Sequence, residues 1–82
     1  MYKTKNQKNH KNISVKEIIN KYHISYQTVN HYTDLGLFSV ALKKGNIRFY
    51  DSCQVRKRLS VITRLASEGY SLYLIRRKLL GV

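Results

Sequence analysis

Acidic side chains are scarce in this chain. Glu17, Asp34, Asp51 and Glu68 stand against 16 Lys and Arg, a net charge of +12 over 82 residues. The four acids lie far apart in sequence, and three sit at helix ends where capping or dipole effects account for them. A single cysteine, Cys53, excludes an internal disulfide and any multi-cysteine zinc site. Cys53, His10, His23 and His31 fall in no nucleophile or metal-ligand spacing, and no glycine-rich phosphate loop is present. The expectation is therefore of no enzyme, no metal and no cofactor. No apolar run approaches the ~18 residues of a membrane span, and the polar start MYKTKNQKNH lacks the apolar stretch of a signal peptide. That leaves a small protein of the cytoplasm with no membrane partner.

What is present is apolar content and positive charge. At 43% hydrophobic residues the chain can build a core, and its length allows one small domain. Residues 1–12 hold Lys3, Lys5, Lys8 and Lys11 with no acid and almost nothing apolar, which reads as a disordered basic arm. From Ile13 onward the balance is still +8. It concentrates in the Lys43–Lys44 pair before Gly45 and in the stretch from Arg56 to Lys78, which carries seven bases against Glu68 alone. Solubility is ordinarily served by mixed signs, so a near-absence of acids points to a polyanionic partner.

Helix signals recur four times. Val15, Ile18, Ile19 and Tyr22 follow helical spacing behind an S-x-x-E capping box formed by Ser14 and Glu17. Ser25 can cap a second helix, Asp51 a third with Gln54 at the box position, and Ser71 a fourth. In each case an apolar residue before the cap can staple onto one five positions later: Ile13 to Ile18, Ile24 to Val29, Tyr50 to Val55, Tyr70 to Ile75. Gly36, Gly69 and Gly81 write the stops of the last three helices. The third helix should bury Val55, Leu59, Ile62, Leu65 and Ala66, and the fourth Leu72, Ile75 and Leu79. Only a sharp turn fits between the first two helices, with His23 tolerating positive φ. Cys53, inside the third helix, reads as a buried small apolar residue.

Between the second and third helices the period changes to two. Phe38, Val40 and Leu42 alternate, Lys43-Lys44-Gly45-Asn46 turns, and Ile47 and Phe49 then alternate with Arg48 and Tyr50. The predicted fold is mainly α with a small β-hairpin: a winged helix-turn-helix of four helices and a two-stranded wing, occupying residues 13–82.

Residues 13–80 also resemble a known family. ISVKEIINKYHIS for the first helix and turn, YQTVNHYTDLGLF for the second helix and its exit, GNIRFYD for the second wing strand and EGYSLYLIRRKLL for the last helix form an ordered set. That set is similar to the DNA-binding domain of MerR-type transcriptional regulators. The resemblance implies a recognition helix in the major groove of double-stranded DNA and a wing on its backbone. It makes Thr28 and Tyr32 recognition-helix contacts, Arg48 the arginine that grips the sugar-phosphate chain, and Tyr50 the aromatic ending the wing. Where the family usually shows Arg then Tyr, this chain has Asn30 and His31. Asn30 can pair bidentately with adenine, or it is simply a polar surface residue.

The residues themselves add Tyr26, Gln27, Asn30 and His31, on or near the first turns of the second helix, and Lys43 and Lys44 at the wing tip. Family members continue into a long pairing helix and a sensor segment, whereas this sequence stops at Val82. Two alternatives stay open: a minimal protein, or the DNA-binding piece of a longer one. A second copy would then meet it on DNA or through a segment outside this sequence. The leading expectation is a sequence-specific bacterial transcriptional regulator of the nucleoid. Its rivals are a small recombination-directionality or architectural DNA-binding protein, and a module that binds an acidic protein.

Overall fold

The computed structural model describes residues 11–82. Its elements run β1 (Asn12–Ser14), α1 (Val15–Tyr22), α2 (Tyr26–Asp34), β2 (Val40–Lys44), β3 (Ile47–Asp51), α3 (Ser52–Ser67) and α4 (Leu72–Leu80). The predicted winged helix-turn-helix is present, with one strand more than expected.

Local chemistry sets the boundaries. Ser14 is extended, and its Oγ accepts from the Glu17 N–H (3.2 Å) while Glu17 Oε1 accepts from the Ser14 N–H (2.8 Å), a closed capping box. α1 ends at His23 in the left-handed region, φ 58°, and its N–H bonds Ile19 C=O at 3.0 Å. A β-branched residue there would be far more strained. Two residues later Ser25 caps α2 by accepting from the Thr28 N–H at 3.0 Å, so the chain reverses in the tight turn a helix-turn-helix needs. At the far end of α2, Tyr32 C=O accepts from both Leu37 and Phe38 N–H. This folds the exit back and drives Leu37 and Phe38 into the core.

The sheet is antiparallel with strand order β1-β3-β2. Asn12 lies opposite Asp51, Ile13 opposite Tyr50 and Ser14 opposite Phe49, while Lys11 C=O accepts from the Ser52 N–H at 2.9 Å. Asn12, counted with the basic arm from sequence, is a strand residue. Lys11 is tied to the start of α3 by its bond to Ser52, and residues 1–10 of the expected arm lie outside the described residues. On the other side of β3, Lys43 pairs with Arg48 and Lys44 with Ile47, and an irregularity falls between Val40 and Leu42. The expected alternation from Phe38 is interrupted. Phe38 precedes the strand and is buried, and every residue of β2 is exposed. Val40, Leu42 and Ile47 belong to neither apolar cluster and stay exposed, whereas Tyr50 at the other end of β3 enters the core.

Asp51 caps α3, accepting from the N–H groups of Cys53 (2.8 Å) and Gln54 (3.2 Å). Gln54 does not close a box; its Oε1 accepts from the Ser39 N–H at 2.9 Å and ties the start of the wing to α3. Ser71 caps α4, Gly81 ends it at φ 77°, and Arg76 Nε donates to Leu35 C=O at 2.9 Å, fastening α4 to the end of α2.

Two apolar clusters result. One joins Ile18, Val29, Phe38, Tyr50 and Val55 with β1; the other joins Leu37, Ile62, Leu65 and Ile75, and Tyr32 packs against both. The predicted inner faces of α3 and α4 are largely as expected. The exceptions are Ala66, which is exposed, and Cys53, which is half-buried with Arg56 Nη2 3.7 Å from its Sγ.

Candidate nucleic-acid interface

The ten residues singled out from sequence sort into three environments. Tyr26, Gln27 and His31 are exposed on α2, and Lys43 and Lys44 are exposed on β2 beside the turn at Gly45. These five side chains are open to solvent.

Thr28, Asn30, Tyr32 and Arg48 are half-buried, and each is engaged. Thr28 Oγ1 lies 2.9 Å from Ser25 Oγ, so its hydroxyl belongs to the α2 cap. Tyr32 meets Phe38 edge-to-face with ring centroids 5.4 Å apart, and burial pushes its hydroxyl above the ordinary tyrosine range. Arg48 holds its guanidinium over the rings of Tyr26 (6.0 Å) and Tyr50 (5.8 Å) and donates through Nη2 to Asn30 Oδ1.

Tyr50 is a correction. It has no exposure, and its hydroxyl lies 2.8 Å from Thr33 Oγ1. A side chain sealed inside the core touches no phosphate, so Tyr50 does not end the wing as a contact. It is the floor beneath Arg48. Strand alternation places Arg48 and Tyr50 on one face of β3, as expected; depth separates them, because residue 50 pairs with β1 over the core while residue 48 lies nearer the turn.

One surface follows from this geometry. Tyr26 and Asn30 on α2 meet Arg48 on β3, and Arg48 is the cross-strand partner of Lys43 on β2. The first turns of α2 and the cationic wing are thus joined through a single arginine. Alongside runs an open apolar groove lined by Val15, Ile19, Ile47 and Phe49 together with Lys16, Tyr26, Asn46 and Arg48. Lys16 and Asn46, which sequence reasoning did not single out, line that groove as well; Lys16 sits in the first turn of α1, where a cation opposes the helix dipole. Thr33, which anchors Tyr50, had no local signal at all.

Among the described residues, no group of three or more His, Cys, Asp and Glu side chains is placed to hold a metal ion. No helix there is long and apolar enough to cross a membrane.

A tight-turned helix pair followed by a hairpin whose tip carries exposed cations beside the second helix defines a winged helix-turn-helix, a class built to present one helix and one β-ribbon to a duplex. Residues 13–81 match the MerR HTH family of regulatory proteins, and the chain belongs to that family. It is a DNA-binding regulatory domain in type. No curated protein and no solved structure matches the chain.

Proposed function

We propose that this chain binds double-stranded DNA sequence-specifically as a bacterial transcriptional regulator, with α2 in the major groove and the β2–β3 wing on the backbone. The observation that carries the reading is the joined surface: Tyr26, Gln27 and His31 exposed on one helix, and Lys43, Lys44 and Arg48 on the wing beside it. Gln27 and His31 are four residues apart and so share a helix face. Gln27 matches adenine through its amide, and His31 reaches a base edge or phosphate from the next turn. Tyr26 packs against Arg48 at the start of the helix, where backbone N–H groups also favour phosphate. The wing cations supply affinity that does not depend on sequence.

The test is a titration of duplex binding against salt. A double substitution, Lys43→Ala with Lys44→Ala, lowers the magnitude of the log–log salt slope by about 0.9 per lysine. Gln27→Ala instead changes which duplexes are preferred. A slope unmoved by the wing substitutions removes the wing from the interface, and equal binding to acidic peptides at matched charge favours the protein-partner reading.

A further inference from the structure

We propose that Asn30 is a positioning residue for Arg48: it locks the wing arginine onto α2, and its influence on DNA passes through that arginine and not through a base. The inference rests on reading the α2–wing surface as a DNA interface.

The amide orientation follows from chemistry. A guanidinium has donors only, so the Asn30 atom facing Arg48 Nη2 is the oxygen. Arg48 is held from other sides by the Tyr26 and Tyr50 rings, at 6.0 and 5.8 Å from its guanidinium carbon. Tyr50 is fixed in turn by its 2.8 Å contact with Thr33, whose hydroxyl donates to Val29 C=O at 2.7 Å. The three groups that hold the guanidinium, Asn30, Tyr26 and Tyr50, therefore belong to α2 or are fastened to it. A long flexible arginine on a hairpin would lose rotamer freedom on meeting a phosphate. Here that freedom is already gone in the free protein, and the remaining guanidinium N–H groups are aimed by the bracket.

The same bond weighs against adenine readout by Asn30. Bidentate pairing needs Oδ1 to accept from the adenine N6–H while Nδ2 donates to N7. Arg48 already takes one of the two Oδ1 lone pairs and fixes the plane of the amide, so adenine could pair bidentately only in the one orientation that this bond leaves, at a half-buried position.

The experiment is a double-mutant cycle with the full chain: wild type, Asn30→Ala, Arg48→Ala and the double variant, each titrated against one duplex over a range of salt, with thermal melting as the check on folding. Asn30→Ala is expected to reduce the magnitude of the salt slope although it removes no charge, approaching the ~0.9 that Arg48→Ala removes. In the Arg48→Ala background, Asn30→Ala should change affinity by less than about twofold, the ordinary error of additivity. Full additivity, or an unchanged slope with altered base preference, overturns the proposal. If wild type shows no salt-dependent duplex binding, the DNA reading itself has failed. Positioning is then judged on the free protein by the NMR order parameter of the Arg48 Nε–H vector. A fall on Asn30→Ala upholds the lock, and no change overturns it.

Discussion

Thr33 and Tyr50 share a hydroxyl pair whose direction is set by a third group. Thr33 has one hydroxyl proton and donates it to Val29 C=O at 2.7 Å, so Tyr50 is the donor in the 2.8 Å contact between them. Tyr50→Phe removes that donor and leaves Thr33 Oγ1 short of one partner. The expected loss is about 0.5–1.5 kcal/mol, read as a lower urea midpoint at unchanged slope. Its affinity for duplex at fixed salt should stay that of wild type, because Tyr50 has no exposed surface; a loss of affinity in a variant that is still folded would return Tyr50 to the interface. At this scale the sequence was legible in part. Period two places Arg48 and Tyr50 on the same strand face, but periodicity reports a face and not a depth. Burial of Tyr50 depends on its pairing with Ile13 of β1, a contact 37 positions away in the chain that no local pattern announces.

Helix starts are the most legible elements because their chemistry is local. Ser14, Ser25, Asp51 and Ser71 each accept from N–H groups two or three residues ahead, where side-chain spacing alone suffices to forecast the bond. The capping box of α1 also has a pH signature. Hydrogen bonds from the Ser14 backbone and side chain, with a smaller contribution from the Lys11 charge, hold the Glu17 carboxyl below its ordinary value near 4.5. A depressed folded-state value stabilises the folded form above the ordinary glutamate range, and this stabilisation is lost as pH falls through the lowered value. Glu17→Gln keeps a capping side chain that does not titrate. The wild-type advantage over Glu17→Gln should therefore shrink on acidification below about 4.5, measured by denaturation at a series of pH values. An advantage that is flat with pH would mean that the carboxylate does not support the cap. Elements decided at long range were not legible. β1 is three residues long and has no period of its own, and Gln54 leaves its expected box because the Ser39 N–H, 15 positions away, competes for it.

For the whole molecule, two apolar clusters bridged by Tyr32 hold the helix-turn-helix and the α3–α4 pair as one body. The order of elements and the positive charge were readable because both are properties of the chain itself. The bracket around Arg48 was not, since it joins α2 to β3 across 18 positions. The central claim is that the surface this bracket organises recognises duplex sequence. It is tested most directly by selecting bound duplexes from a random pool with this chain at near-physiological salt. The account predicts an enriched motif; arranged as an inverted repeat, it would mean that two copies read it in symmetry, as a regulator that pairs on DNA does. A single half-site or direct copies along one strand would keep DNA binding but replace the regulator with an architectural protein. No enrichment over the random pool would contradict sequence-specific binding outright.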